Sequence, residues 1–282
     1  MFVHLNGEIV PESEAVVPVS DRGFMYGDGV FETIRVHKGM TLRWFAHMDR
    51  LRSGLEQLEI PYQLDTRTLH ESARELIEQN QLSDAVLRVQ ITRGPGKRGY
   101  SPKGADSPTI VITAHTAPPL IEAQPRWSLA ESSVRIQSDN PLNSVKSLNK
   151  LPNILAKAEA DRADCNDAVL LNERSEVAEA TCANIFWMRD GKVFTPPLES
   201  GALPGVTRNF VSDLAAMGEI ELKETPTTMA DLREAEGIFL SLSSLVLVEV
   251  DAIGGNPIPT SPIFARLREG FLYFLNKGQG LS

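Results

Sequence analysis

The feature that most constrains this chain is a break in its patterning at residues 116–125, TAPPLIEAQP. This stretch is rich in proline and has neither the period of a strand nor that of a helix. It therefore reads as a link between two separately patterned halves. The expected division is 1–118 for an N-terminal domain and 119–282 for a C-terminal one.

In the first half, FVHLNGEIV places Asn6-Gly7 between two apolar runs, the signal of a two-residue hairpin. DRGFMYGDGVFETIRVHKG reads as a glycine-punctuated loop and then an alternating strand, Phe31, Thr33 and Arg35 against Glu32, Ile34 and Val36. Residues 42–58 fit a helix with a stripe of Phe45, Met48, Leu51, Leu55 and Leu58. Thr66 to Gln79 fits a second helix, with Leu69, Ala73, Leu76 and Ile77 inward. Residues 85–94 and 107–115 read as strands.

In the second half a strand is expected near 127–136, then a helix at 151–163 with Leu151, Ile154, Leu155 and Ala158 at helical spacing. Strands follow at 167–172, 183–188 and 192–196. Gly205 precedes a helix for which Gly218 reads as the residue just past the end. Strands at 220–225, 237–241 and 245–250 lead to a closing helix.

The formal net charge of −9 argues against a nucleic-acid partner, which would require surplus Lys and Arg. It argues equally against a basic membrane-surface protein. No run approaches the ~18 consecutive apolar residues of a membrane helix. The opening MFVHLNGEIVPESE has no basic segment followed by an apolar one, so no signal peptide is expected. The two cysteines, Cys165 and Cys182, make no disulfide framework and no zinc site alone. A cytoplasmic protein is expected.

Four stretches could carry chemistry. In Ser144-Val-Lys-Ser-Leu-Asn-Lys-Leu-Pro-Asn153, Lys146 lies between Val145 and Leu148 ahead of a helix marked by Pro152. Apolar surroundings disfavour an ammonium, which is what an imine-forming lysine needs. Lys150 meets the same criterion, and both read equally as solvated loop lysines. Glu179, in SEVAEATCANIFW, could hold a heterocyclic nitrogen protonated or be a turn glutamate. Leu203-Pro-Gly-Val-Thr-Arg208 puts Gly205 at a helix start, where backbone N–H groups make an anion site. Thr207 could add a donor or cap that helix. Gly94-Pro-Gly-Lys-Arg-Gly-Tyr100 lacks the spacing and terminal Lys-Ser/Thr of a nucleoside-triphosphate loop, and GDG at 27–29 is no dinucleotide fingerprint. What remains is a basic loop in which Arg98 suits a carboxylate.

Taken together, YGDGVFETIRV, HMDRL, TRGPGKRGY, VKSLNKLPNILAKAEA, EVAEATCANIFW and the LPGVTR segment resemble, in order and spacing, the class IV pyridoxal-phosphate aminotransferases. That family includes branched-chain and D-amino-acid aminotransferases and aminodeoxychorismate lyases. The resemblance spans about residues 1 to 250. It implies an α+β protein of fold type IV, with a small N-terminal α+β domain, a larger C-terminal domain on a barrel-like sheet, and pyridoxal 5'-phosphate between them.

The resemblance implies that Lys146 bonds the cofactor and moves the substrate proton, and that Lys150 does not. It assigns Arg50, Val206 and Thr207 to the phosphate, with Ser243 or Ser244 as a further phosphate ligand. It assigns Glu179 to the pyridine nitrogen. Arg98, Tyr100 and Phe31 fall at substrate-binding positions, although Phe31 stands where D-amino-acid aminotransferases carry tyrosine and Tyr100 where they carry histidine.

RGPGKRGYS, CANIFW and KSLNKL look most like the lyases, which release pyruvate from 4-amino-4-deoxychorismate to leave 4-aminobenzoate, a folate precursor. Transamination of an amino acid is the alternative. The family forms homodimers, with the basic loop often reaching the neighbour's site. A small amino or carboxylate compound is the expected partner, without nucleic acid, membrane or metal.

Overall fold

The computed structural model describes residues 1–117, 120 and 126–277, in two compact units. One unit holds 1–117 and 145–149; the other holds 120, 126–144 and 150–277. The division expected at 118/119, and most of the proline-rich link, lie outside the described residues.

The first unit begins with β1 (Phe2–Leu5) and β2 (Glu8–Pro11). Asn6 and Gly7 both take positive φ, 51° and 99°, as the tight hairpin turn requires. Next come α1 (Arg22–Tyr26), β3 (Gly29–His37), β4 (Met40–Thr41), α2 (Trp44–Gln57), α3 (Thr66–Gln79), β5 (Ala85–Thr92) and β6 (Thr109–Thr116). The described strands form an antiparallel sheet in the order β2-β1-β6-β5-β3-β4. Val30, Ile34 and Val36 of β3 pack with Met48, Leu51 and Leu55 of α2 and with Leu69, Ala73, Leu76 and Ile77 of α3. The α3 stripe is thus as expected, and Asp65 caps that helix by accepting from the N–H groups of Arg67 and Thr68.

Two expectations need correction. Phe45 is 56% exposed, whereas Trp44 is buried, stacked on His70 with Nε1 donating to the Thr66 carbonyl. The buried set 44, 48, 51, 55 keeps helical period, and Phe45 stands about 100° off it. Also, β3 is buried on both faces rather than alternating in burial.

The second unit contains β7 (Trp127–Ile136), α4 (Leu151–Arg162), β8 (Asp167–Asn172), β9 (Val177–Ala180), β10 (Asn184–Arg189), β11 (Lys192–Thr195), α5 (Val206–Met217), β12 (Leu222–Glu224), α6 (Met229–Arg233), β13 (Gly237–Leu242), β14 (Val246–Ile253), β15 (Asn256–Pro257) and α7 (Pro262–Lys277). Its described strands form one mixed sheet, β12-β11-β10-β13-β14-β7-β8-β9 with β15 beside β14, curled into a half-barrel. One core lies around Ile185, Trp187, Ile238, Leu240 and Val248, closed by Met229 and Leu232 of α6. The α+β expectation with a barrel-like second sheet is met.

On α4 the expected apolar stripe faces outward: Leu151, Ile154 and Leu155 are 70%, 60% and 59% exposed. The helix instead buries Ala156 and Ala160 against Ala130, Ala168 and Leu170. Small side chains bring its backbone close to β7 and β8, so the contact is made without large residues. At the end of α5, Gly218 has φ −84° and is the C-cap; the left-handed residue is Glu219, at φ 52°. No described helix is long and apolar enough to cross a membrane.

Candidate active site

In the first unit, residues 145–149 return to lie beside the start of β3. The Phe31 N–H donates to the Lys146 carbonyl at 2.9 Å, and the Leu148 N–H to the Gly29 carbonyl at 3.0 Å. Ser147 bridges Val30. Val145 enters the core of that unit, so the segment is pinned by one apolar side chain and two ladder bonds. This holds the half-buried Lys146 with Nζ 4.6 Å from the centroid of the Phe31 ring. The Arg88 guanidinium carbon lies 3.9 Å from the same centroid. Lys150 is elsewhere, at the N-cap of α4 in the second unit.

The alternating pattern makes Glu32 no more than one member of a strand. The structure makes it the centre of a buried ionic cluster on the helix-facing side of β3. Arg50 donates from Nε to Glu32 Oε1 at 2.7 Å and from Nη2 to Oε2 at 2.8 Å. His47 Nδ1 lies 2.7 Å from Oε2. Burial pushes the Glu32 pKa upward, but the Arg50 charge and the hydrogen bonds from Arg50 and His47 outweigh it and hold the carboxyl at about 2. Burial pushes His47 below its ordinary value against the pull of Glu32, with Arg50 and Lys146 adding to the downward push. His47 is thus a neutral donor to Glu32. The carboxylate fixes the Arg50 fork, one turn of α2 beyond His47. The signal is present as F-E-T beside H-M-D-R, with His and Arg three apart on one helix face.

Arg98 and Tyr100 are exposed in the 94–107 segment, and the Tyr100 ring lies 5.6 Å from that of Tyr26. The structure therefore groups Lys146 with Phe31, and groups Arg50 with Glu32 and His47, two residues that sequence reasoning does not single out.

In the second unit, Glu179 sits on β9 opposite Leu170, where the β8–β9 register slips by one residue. Its Oε2 accepts the Leu203 N–H at 3.0 Å. Asn184 Nδ2 donates to the Leu203 carbonyl at 2.9 Å and lies 3.4 Å from the same Glu179 oxygen. Glu179 is thereby joined to the segment that leads into α5.

Gly205 is the N-cap of α5, and no side chain caps that helix, so Thr207 does not fill the cap role. A Cβ on Gly205 would stand 2.0 Å from Asn184 Oδ1, so any side chain here must displace the Asn184 amide. The Asn209 N–H bonds the Gly205 carbonyl at 3.0 Å, and the N–H groups of Val206, Thr207 and Arg208 precede it at the helix mouth. Arg208 is buried and held by the Pro196 carbonyl and Glu224. Ser243 and Ser244 form the half-buried turn from β13 to β14. That turn ends at Val246 with φ 63°, a strained conformation for a β-branched residue. Ser241, opposite Asn184 in the β10–β13 ladder, is buried with its Oγ unpartnered among the described residues. Sequence pattern marks neither Asn184 nor Ser241.

The family described as amino-transferase class IV matches residues 29–253. The chain belongs to the class IV aminotransferases. This family is pyridoxal-phosphate-dependent, so the protein is an enzyme of that cofactor class. A putative branched-chain-amino-acid aminotransferase of Methanocaldococcus jannaschii is 36% identical, with 96% of this chain and 95% of the relative covered. An aminodeoxychorismate lyase of Vibrio harveyi is 35% identical over 84% of this chain and 87% of the relative. Among solved structures, the branched-chain aminotransferase of Thermoproteus uzoniensis with norvaline is 26% identical with a TM-score of 0.92, covering 99% of this chain and 96% of that one. The fold type expected of the family is the fold observed.

Proposed function

We propose that this class IV enzyme is a 4-amino-4-deoxychorismate lyase, with Lys146 as its proton-transferring base. The observation that carries the enzymatic reading is the local construction of Lys146: a backbone pinned to β3, and an amine held over the Phe31 ring. The lyase choice is supported by the RGPGKRGYS, CANIFW and KSLNKL segments and by the Vibrio harveyi relative.

In each unit the residues present have donor chemistry that suits the cofactor. Lys146 supplies the amine for its carbonyl. Glu179, kept in place by the Leu203 N–H, suits the ring nitrogen. The α5 N-terminus with Val206 and Thr207, the guanidinium of Arg50, and the Ser243–Ser244 turn suit a phosphate. When bound, the cofactor serves as the electron sink for the substrate carbon. Lys146 would take the proton from the substrate carbon, and Glu179 would hold a proton at the ring nitrogen. Arg98 receives a substrate carboxylate, and Phe31 and Tyr100 border it.

Amino-group transfer is the second reading, favoured by the Methanocaldococcus jannaschii relative. We also propose a homodimer, supported by the exposed Val19 and Phe24 of the first unit and by Leu151, Ile154 and Leu155 of the second. Sedimentation reads this directly.

The deciding experiment gives the pyridoxal-phosphate-loaded protein 4-amino-4-deoxychorismate and measures pyruvate and 4-aminobenzoate. In parallel it receives D-alanine, L-leucine and L-glutamate with a 2-oxo acid. Equimolar pyruvate and 4-aminobenzoate are expected. Oxo-acid formation from an amino acid, without that cleavage, would replace the lyase by a transaminase.

A further inference from the structure

We propose that Arg22 is a positioning residue that presets the 97–101 loop for the substrate carboxylate, an inference that rests on the reading of Arg98 given above. Arg22 lies in α1 and is buried. Its guanidinium points at three successive backbone carbonyls of the loop. Nη1 donates to the Gly99 and Ser101 carbonyls at 3.0 and 3.2 Å, and Nη2 to the Tyr100 carbonyl at 3.0 Å. The remaining edge is fixed, because Nε donates to Asp28 Oδ2 at 2.7 Å.

The anchor is itself braced. Asp28 also accepts from Arg93 Nε at 2.8 Å, and Arg93 donates onward to the Leu58 and Glu59 carbonyls. Asp21, ahead of Arg22, caps α1 and accepts from Thr92 and Thr109, fixing that end to β5 and β6.

The consequence follows from where the loop's polar groups go. With the carbonyls of 99–101 turned inward to one cation, the Tyr100 side chain is left 87% exposed, and Arg98 is exposed beside it. Tyr26 adds a second tie: its Oη accepts the Gly99 N–H at 3.1 Å, and its ring lies against both Tyr100 and the Arg22 guanidinium. The basic loop is thus ordered before any substrate arrives, so a carboxylate is not required to order it. Only a planar fork with five N–H donors can serve Asp28 and three carbonyls together; an ammonium has three donors and no plane.

The experiment compares the cofactor-loaded wild type with Arg22→Lys, Tyr26→Phe, Arg98→Ala and the Arg22→Lys/Arg98→Ala double variant. The first reading is the rate of tryptic cleavage after Arg98, which needs no substrate. Arg22→Lys is expected to speed it about 10-fold, and Tyr26→Phe less. The second is KM with 4-amino-4-deoxychorismate, D-alanine or L-glutamate, whichever turns over. Arg22→Lys is expected to raise KM about 10-fold with kcat within about 3-fold. If it acts through Arg98, the double variant's KM will equal that of Arg98→Ala alone.

Unchanged cleavage in a folded Arg22→Lys would overturn the proposal, and if that variant does not fold, unchanged cleavage in Tyr26→Phe would. So would KM effects that add in the double variant, which is what a merely structural loss would give. Should Arg98→Ala leave KM unmoved while Arg22→Lys still opens the loop, the carboxylate reading of Arg98 fails and the anchoring stands. Tyr26→Phe keeps the test usable if Arg22→Lys does not fold.

Discussion

The two units solve the problem of holding charge in opposite ways. In the first, Arg50 is locked by side-chain ions: a buried Glu32 carries it on one edge and His47 fixes the carboxylate from the other. In the second, the helix mouth at Val206 and Thr207 is made of backbone donors, and Glu179 is tied through one N–H and the neutral amide of Asn184. The first arrangement depends on protonation state. The second depends on space, because Gly205 leaves only enough room for Asn184. An ionic lock is therefore sensitive to pH and tolerant of small shifts, while a dipolar one has the reverse sensitivities.

The largest effect that could break this contrast comes from Glu32→Leu. It leaves Arg50 in the same half-buried place without its carboxylate, so a loss of about 3–5 kcal/mol in unfolding free energy is expected by chemical denaturation. A loss below about 1 kcal/mol, on the scale of an exposed pair, would show that the cluster is not an ionic lock.

Next is Gly205→Ala. Crowding against Asn184 is expected to cost about 1–3 kcal/mol and to weaken cofactor binding, read by titration of the apoprotein. Asn184→Ala should relieve part of this, so that the double variant loses less than the sum of the two singles. Strict additivity would mean the close approach has no consequence.

The smallest effect is in the pH profile. The Glu32 carboxyl is depressed from 4.5 to about 2, so its stabilisation is complete above about 4.5 and lost as pH falls through about 2. His47 is also lowered from 6.5, so the unfolded chain takes up that proton first and stability erodes as pH falls below about 6.5. Thermal melts from pH 7 to 2 should slope downward in the wild type and in Gly205→Ala alike. In Glu32→Gln the slope between about pH 4.5 and 2 should be shallower, the remaining loss coming from other carboxylates held low, such as Asp28 and Asp84. Equal slopes in all three would remove the pH half of the contrast.

The same contrast shows what the sequence makes legible. The helix Thr66–Gln79 is readable to the residue, because Leu69, Ala73, Leu76 and Ile77 keep period and Asp65 caps it. The family motifs propose Lys146, Arg50, Glu179 and the α5 start as site residues. Periodicity fails on α4, where two alanines do the packing and the leucines face outward, because pattern does not report how closely a helix approaches a sheet. The return of 145–149 to the first unit is a long-range pairing that no local signal encodes. Asn184 and Arg22 escape sequence reasoning for a related reason. Each acts on a neighbouring functional group, so its meaning lies in a distance and not in a motif.

The most direct test of the account is to load the protein with pyridoxal 5'-phosphate, reduce it with borohydride, and map the modified peptide by mass spectrometry. A single pyridoxyl group on Lys146, absent in Lys146→Ala, is the expected result. Modification at Lys150, or none at all, would contradict the assignment on which the proposed chemistry rests.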